Sequence, residues 1–288
     1  MIISLRGLAK SFGSVRAVDG VDLDIYQGEF LTLLGPSGSG KTTVLRMIAG
    51  FEAPDSGSIH LNGAEITHLP AYERDVNTVF QDYALFPHMD VISNIEYGLR
   101  VKGIGKVERR EQAMVALQQV RLEGYENRKP NQLSGGQRQR IAIARALAPQ
   151  PKVIIADAPL SALDVSIQSQ VMNLMKSLQT THGLSYILVS HDMAAVHHLA
   201  DRVAVMYLGR VIESAPVDQL FESPAHPYTL ALLQSVPKIG KGKRTVGGSL
   251  KGDQPSPINP PKGCTFHPRC PVAQEKCKLE VPIDRNLS

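Results

Sequence analysis

Cysteines and long apolar runs are scarce in this sequence. Its 288 residues include three cysteines, Cys264, Cys270 and Cys277, all within the last 25 residues, so the rest of the chain contains none that could form a disulfide. No apolar run approaches the roughly 18 residues of a membrane-spanning helix, and the start, MIISLRGLAK, lacks the apolar segment of a signal peptide. We therefore expect a protein of the cytoplasm.

An excess of charge of one sign is also missing. Lysine and arginine total 31 against 27 acidic residues, and the formal net charge of +4 is too small to argue for wrapping nucleic acid. We therefore expect no nucleic-acid partner. The 43% hydrophobic content and the length are enough for one large α/β domain with an appendage.

Short segments of different periodicity divide the chain. Alternating polarity in residues 1–30 predicts half-buried strands of an antiparallel sheet, and apolar runs at 30–34, 153–156, 186–190 and 203–207 predict buried strands. Residues 85–148 are mostly helical in pattern. We predict a mostly parallel sheet with a helical insert in a domain of residues 1–220. The extension, 221–288, is rich in proline, glycine and lysine after Pro224, and we expect it to be weakly structured.

A glycine-rich segment joins the predicted strand 30–34 to a helical stretch, 44–49, that ends before Gly50. Its sequence, GPSGSGKT, fits the G-x-x-x-x-G-K-[ST] pattern, in which backbone N–H groups and a helix start converge on nucleotide phosphates. Lys41 would reach the terminal phosphates and Thr42 would offer a hydroxyl to Mg²⁺. An ordinary glycine turn is disfavoured because spacing, lysine and flanking elements agree. We predict an ATP site, with GTP left open, formed by Gly35, Ser37, Gly38, Ser39, Gly40, Lys41, Thr42 and Thr43.

The segment LSGGQ at 133–137 makes the identification more specific. Its serine and glutamine have capping-box spacing at a helix start, and its glycines let the backbone approach a ligand. With the glycine-rich loop upstream, the chain resembles the ATP-binding-cassette (ABC) family, whose signature is LSGGQ. The resemblance implies a P-loop NTPase of ABC type, with a RecA-like core, an N-terminal antiparallel β subdomain, a helical insert and an irregular C-terminal extension. It also implies a head-to-tail dimer in which ATP on one subunit is bound by the signature segment of a second subunit, identical or different, through Ser134, Gly135, Gly136 and Gln137.

Further positions match the family's pattern. Phe12 corresponds to the aromatic residue that stacks on adenine, although a lone phenylalanine after a strand is more often core packing. Gln81 resembles the glutamine that contacts Mg²⁺ and the attacking water, and residues 85–88 resemble the surface that receives a membrane-subunit helix. Asp164 lies in a segment that resembles the loop crossing the dimer interface. His191 resembles the switch histidine near the γ-phosphate, because it follows a predicted strand.

One carboxylate of the family pattern is absent. Asp157 ends a predicted buried strand and matches the acid that holds Mg²⁺, but the family's next residue, a glutamate that polarises water, is Ala158 here. Since a positioned base contributes roughly 10² to 10⁴-fold, we expect ATP binding and dimer closure to survive while hydrolysis is slow. The chain is then either a natural degenerate subunit with an active partner or a variant with an engineered alanine.

The two portions of the chain resemble different importers. Up to about residue 148 the sequence resembles ATPases of polyamine, sulfate or iron importers, whereas from about 151 onward it resembles those of dipeptide and oligopeptide importers. The tail GCTFHPRCP, residues 263–271, is the more restricted feature, so peptide import is favoured over import of a polyamine or other small solute. The implied partners are transmembrane permease subunits and, indirectly, a substrate-binding protein, with this chain peripheral on the cytoplasmic face of the inner membrane.

The tail cysteines leave two alternatives open. In the peptide-importer subfamily such cysteines can hold an iron–sulfur cluster, and thiolates at Cys264, Cys270 and Cys277 have suitable chemistry. A four-cysteine site is incomplete here, and the spacing C-x₅-C-x₆-C matches no compact zinc motif, so free thiols are an equal alternative.

Two other function classes compete with an importer ATPase. A soluble ABC protein of translation or DNA repair would usually carry tandem cassettes or a long coiled-coil arm, and neither is found in this sequence. A non-catalytic, ATP-binding regulatory subunit is the other candidate, and Ala158 is the residue that supports it.

Overall fold

Strands and helices alternate through most of the chain. The computed structural model describes residues 1–235, 252–283 and 285. In chain order the elements are β1 (Ile3–Phe12), β2 (Val15–Ile25), β3 (Phe30–Leu34), α1 (Lys41–Ala49), β4 (Ser56–Leu61), β5 (Ala64–Glu65), β6 (Val76–Val79), α2 (Val91–Val101), α3 (Lys106–Gln119), α4 (Gly135–Leu147), β7 (Val153–Asp157), α5 (Val165–His182), β8 (Ser185–Val189), α6 (Met193–Leu199), β9 (Arg202–Tyr207), β10 (Arg210–Pro216), α7 (Val217–Glu222) and α8 (Pro227–Gln234).

The larger sheet runs in the order β10-β9-β3-β8-β7-β6. Strands β9, β3, β8, β7 and β6 are parallel, and β10 is antiparallel to β9 at one edge. Alternate residues of β3 and β8 enter two hydrophobic clusters, so that Phe30 and Leu188 face helices α2 to α6 whereas Leu31 and Ile187 face α1 and the smaller sheet. Burial on both faces explains why these strands are continuous apolar runs.

The smaller sheet is antiparallel, in the order β2-β1-β4-β5. Ile3 and Leu5 of β1 are buried in the cluster shared with α1, and in β2 the buried Val21, Leu23 and Ile25 alternate with the exposed Asp22 and the half-buried Asp24. This alternation confirms the prediction of half-buried strands in residues 1–30. The long hairpin β1–β2 therefore forms a second layer beside the parallel core.

The helices predicted in residues 85–148 are present as α2, α3 and α4, which pack on one another. Asn94 in α2 is fully buried, and its amide accepts a hydrogen bond from the N–H of Phe86 at 2.8 Å and donates one to the Phe86 carbonyl at 3.2 Å. This side chain ties the segment that precedes α2 to the helical insert. None of the helices in the described part of the chain is both long and apolar enough to cross a membrane.

The segment after Pro224 is more ordered than the sequence predicted. Helix α8 begins at Pro227, with the Nδ1 atom of His226 accepting a hydrogen bond from the N–H of Tyr228. Proline suits the first helical position because its fixed φ is already helical, so its presence did not argue against a helix there. The expectation of a weakly structured extension was therefore wrong for residues 227–234.

The described tail, 252–283, packs onto this region through one aromatic residue. Phe266 is 1% exposed, and its ring centroid lies 5.4 Å from that of Tyr207 in β9 and 5.6 Å from that of Tyr228 in α8. Burial lowers the pKa of His226, whose ring packs against Phe266 at 5.4 Å. The tail is thus held by an aromatic cluster between β9 and α8.

We predict that Phe266→Ala releases the tail. Truncating a buried phenylalanine costs about 3–5 kcal/mol, which exceeds what short turns without a core of their own can replace. Amide hydrogen exchange in residues 252–283 should become faster while exchange in β3 and β8 stays slow. Val272→Ala is the control, because Val272 is 66% exposed. Equal protection of the tail in both variants would refute this anchoring role.

Candidate functional site

Four parallel strands end at one edge of the larger sheet, and each is followed by a predicted site residue. In register, Leu33 of β3 lies opposite Val189 of β8, and Val189 lies opposite Asp157 of β7. Asp157 is thus two strand spacings, about 10 Å, from the end of β3. The glycine-rich loop follows β3, His191 follows β8 and Gln81 follows β6. The carboxyl ends of strands in open α/β sheets are where ligands bind.

The glycine-rich loop is shaped by close contacts with the backbone behind it. A Cβ on Gly35 would lie 2.2 Å from the Met206 carbonyl oxygen, and one on Gly40 would lie 2.3 Å from that of Ala17. Both glycines have positive φ values, of 149° and 98°. Only glycine fits these positions, so the loop packs closely against β2 and β9.

Lys41 begins α1 and folds back over the loop. Its Nζ donates hydrogen bonds to the carbonyls of Gly35 (2.9 Å) and Pro36 (2.7 Å) and to the Oγ of Ser39 (3.2 Å). Burial lowers the pKa of Lys41, and the negative charge of Asp157 opposes that shift. The ammonium group therefore sits within the concave side of the loop, where a phosphate would take over its interactions.

Asp157 carries the complementary charge at the end of β7. Burial raises the pKa of this carboxyl, and the positive charges of Lys41 and Arg46 oppose the rise. A half-buried carboxylate is suited to hold a divalent cation here, because the cation would favour its charged form. Sequence reasoning did not single out Arg46, which lies in the last turn of α1 and adds positive charge near this acid.

The other residues of the loop differ in exposure. Ser37, Gly38 and Thr42 are exposed, Thr43 is half-buried and Ser39 is completely buried. The Ser39 carbonyl accepts a hydrogen bond of 3.0 Å from the N–H of Gly209, in the turn between β9 and β10. Thr42 lies in the first turn of α1, and its exposure leaves it accessible to a cation.

Ala158 follows Asp157 with an unusual backbone conformation. Its φ is 47°, in the left-handed region that non-glycine residues rarely adopt. Its N–H donates to the Val189 carbonyl at 3.0 Å, and its own carbonyl accepts from the Ser161 hydroxyl at 2.9 Å. The backbone is thus fixed at the position where the family pattern has a glutamate, and the side chain presented there is a methyl group.

His191 and Asp192 follow β8 at the same edge. His191 is exposed, and the Asp192 carboxylate accepts hydrogen bonds from the N–H groups of Ala194 (2.9 Å) and Ala195 (3.3 Å), capping α6. The cap fixes the turn that presents His191. Gln81 is likewise exposed, directly after β6.

Phe12 lies at the end of β1, in the smaller sheet, and is 47% exposed. The Lys10 Nζ is 5.4 Å from the ring centroid of Phe12. An exposed aromatic ring at a strand end is available for stacking on a planar base. The alternative of core packing for Phe12 is therefore not what the structure shows.

The signature segment lies at the start of α4, in the helical insert. The predicted capping box is present: the Ser134 Oγ accepts from the Gln137 N–H at 3.3 Å, and the Gln137 Oε1 accepts from the Ser134 N–H at 2.9 Å. A Cβ on Gly136 would lie 2.5 Å from the Cγ2 of Ile167 in α5, so this glycine is required for packing as well. Asp164 is exposed at the N-cap position of α5. Because α4 packs on α2, α3, α5 and β6, the signature segment belongs to a different part of the fold from Lys41.

The tail cysteines do not support an iron–sulfur cluster. Within residues 1–235, 252–283 and 285, no group of three or more His, Cys, Asp or Glu side chains is arranged to hold a metal ion. Cys264 and Cys270 pack against the aromatic cluster around Phe266, and burial raises the pKa of the Cys270 thiol. The alternative of an iron–sulfur cluster therefore has no support in the described part of the chain, and none of the three cysteines forms a disulfide there.

Comparisons with known proteins agree with this geometry. Residues 18–161, half of the chain, match the family described as ABC transporter, and residues 212–277 match the oligopeptide/dipeptide transporter C-terminal region. The di/tripeptide transport ATP-binding protein DppF of Pseudomonas aeruginosa is 45% identical over 98% of this chain and 90% of its own length. The uncharacterized ABC transporter ATP-binding protein YdcT of Escherichia coli is 49% identical over 78% of this chain and 67% of its own length.

A solved structure supports the same assignment. The dimeric post-hydrolysis state of the ATP-binding cassette MJ0796, bound to ADP and Pi, is 33% identical, covers 75% of this chain and 99% of that chain, and superposes with a TM-score of 0.67. The predicted P-loop NTPase fold of ABC type is therefore confirmed. With the phosphate loop, the carboxylate of Asp157 and the signature helix all in place, the chain belongs to the ABC transporter ATPase family.

Proposed function

We propose that this ABC ATPase is the ATP-binding subunit of a peptide importer. The match of residues 212–277 to the C-terminal region of oligopeptide/dipeptide transporters carries this proposal. The aromatic anchor at Phe266 supports it, because the described tail packs on the ATPase core as part of one fold. Its partners are then transmembrane permease subunits and a second ATPase subunit, with a substrate-binding protein acting indirectly, and its place is the cytoplasmic face of the inner membrane. Residues 1–220 form the nucleotide-binding domain and 221–288 the importer-specific extension.

The strand edge fits ATP and Mg²⁺. Lys41 and the loop N–H groups would bind the phosphates, and Phe12 would stack on the base. Thr42, Gln81 and Asp157 would hold Mg²⁺, which neutralises phosphate charge when bound. The opposed effects of burial on the pKa values of Lys41 and Asp157 support this assignment, because a site with polyphosphate and a cation favours the charged form of both groups.

The signature segment completes the site from a second subunit in this proposal. Ser134, Gly135, Gly136 and Gln137 sit at the N-terminus of α4, where N–H groups favour an anion. Closure of the two subunits around two nucleotides would move the surface formed by Gln81 and residues 85–88 and so act on the permease, and Asp164 would cross the interface.

Hydrolysis is the step of the ATPase cycle that we expect to be slow in this chain. Ala158 offers no group that could accept a proton from water, and the Asp192 carboxylate caps α6 through one of its oxygens. His191 would remain to contact the γ-phosphate. The chain would thus bind ATP and close, with slow turnover, unless an active partner subunit supplies the missing carboxylate. The same residue supports a non-catalytic regulatory role as the second candidate.

Lys41→Met should abolish tight ATP binding without unfolding the protein. A hydrogen bond to a charged group contributes about 1.5–3 kcal/mol, so the ATP dissociation constant should rise roughly 10- to 100-fold. The free energy of unfolding should change little, because burial disfavours the ammonium charge in the free protein. Isothermal titration with ATP checks this, and Lys152→Met, at an exposed lysine, is the control. Unchanged affinity in Lys41→Met would contradict the phosphate assignment.

Ser134→Asp should block the ATP-driven dimer while keeping the helix cap. Aspartate caps helices as well as serine does, but its charge would face the γ-phosphate of the other subunit's ATP, a repulsion of several kcal/mol. Sedimentation with Mg–ATP should show dimers for the unmodified chain and for Ser134→Asn, which keeps the cap without charge. A dimer of unchanged stability in Ser134→Asp would exclude the head-to-tail arrangement.

Ala158→Glu should raise steady-state ATP turnover by roughly 10² to 10⁴-fold, because it restores a positioned base. Ala158→Gln is the matched control, since it has the same size and the same strain at φ 47° but no basic carboxylate. The assay measures phosphate release from the purified chain. Equal turnover in the unmodified chain and in Ala158→Glu would refute the role given to this position.

A further inference from the structure

The loop that carries Gln81 has two consecutive residues in the left-handed region. Tyr83 has φ 65° and Ala84 has φ 46°, and neither is glycine. L-residues sparsely populate this region, and such conformations persist where the surrounding structure holds them and are concentrated at functional sites. A contact that holds this pair would also fix the position of Gln81, two residues before it.

Arg145 in the last turn of α4 supplies that contact. Its guanidinium donates one hydrogen bond to the Ala84 carbonyl and another, of 3.0 Å, to the Tyr83 carbonyl. The same group lies 5.8 Å from the ring centroid of Phe86, and the charge of Asp82 opposes the lowering of its pKa by burial. One side chain therefore touches or faces every residue from 82 to 86 except Leu85.

The start of α4 holds the same loop. The Tyr83 hydroxyl lies 3.2 Å from the point where a Cβ on Gly135 would be, and the Arg138 guanidinium lies 5.5 Å from the Tyr83 ring centroid. The loop thus contacts α4 from Gly135 in its first turn to Arg145 in its last. Its other end is held by the buried Asn94, through the backbone of Phe86.

We propose that Arg145 is a positioning residue that sets Gln81 for the magnesium-bound nucleotide and makes the Gln81 loop move as one body with the signature helix. The inference rests on the role proposed above for Gln81. Two hydrogen bonds from one planar guanidinium fix both peptide groups of the left-handed pair, which a single point charge does not. Rotation of α4 during closure would then carry Gln81 with Ser134.

The test compares nucleotide affinity with and without Mg²⁺ in the full-length chain. The dissociation constant of a fluorescent ATP analogue, mant-ATP, is measured with excess Mg²⁺ and with EDTA for the unmodified chain, Gln81→Ala, Arg145→Gln and Arg145→Lys. Loss of a residue that orients a metal ligand typically weakens metal-dependent binding about 10- to 100-fold. The Mg²⁺ gain is the ratio of the dissociation constant in EDTA to that in Mg²⁺. We expect this ratio to fall about 10- to 100-fold in Arg145→Gln and in Gln81→Ala, with the dissociation constant in EDTA unchanged. Arg145→Lys should show a partial loss.

Arg140→Gln is the matched control on the same helix. Arg140 donates to the Val120 carbonyl and to the Gln170 side chain, so its loss should leave the Mg²⁺ gain unchanged. A full Mg²⁺ gain in Arg145→Gln, with loss in Gln81→Ala, overturns the role of Arg145 alone. Equal weakening in Mg²⁺ and EDTA indicates a merely structural role and also overturns it. A full gain in Gln81→Ala removes the proposed role of Gln81, and the inference with it. If Arg145→Gln does not fold, unchanged Mg²⁺ gain in Arg145→Lys overturns the proposal.

Discussion

The whole site depends on keeping a half-buried ammonium group and a half-buried carboxyl at one edge of a parallel sheet. Strands β3, β8 and β7 are aligned in register, so the loop with Lys41 and the acid Asp157 come to the same level of the fold. Burial shifts the pKa of each group towards its neutral form, and each charge opposes the shift of the other. In the free protein the opposite charge offsets the effect of burial only in part, so a bound polyphosphate and cation would further favour the charged forms of both groups.

A second constraint separates the two segments that we propose to bind phosphate. Lys41 is held by the strand edge, whereas Ser134 is held by helices of the insert. The segment after β6 is one of the two covalent connections between the sheet and the insert, and it contacts α4 on its way to α2. This layout fits a molecule whose working motion is a shift of the helical insert against the sheet, because the connecting loop responds to both.

The sequence predicted local features well and distant contacts poorly. The strand at 30–34, the helix end at Gly50 and the capping box of Ser134 depend on residues near in sequence, and all are present. Arg145 donates hydrogen bonds to the carbonyls of residues 83 and 84, about sixty positions earlier, and no periodic pattern in the sequence indicates such a contact. Phe266 is a second example, because it is buried by Tyr207 of β9 and Tyr228 of α8, which are distant in sequence. The proline-rich composition of the tail therefore did not indicate that it folds onto the core.

The close contacts behind the glycine-rich loop bear on how the site could select between purine nucleotides. With Gly35 against Met206 and Gly40 against Ala17, the two ends of this loop have no room to move back towards β9 and β2. The loop would bind adenosine and guanosine triphosphates alike, since their phosphate chains are the same. Discrimination between purines would then have to arise at the opposite end of the nucleotide, where the base is proposed to stack on the exposed Phe12 at the end of β1.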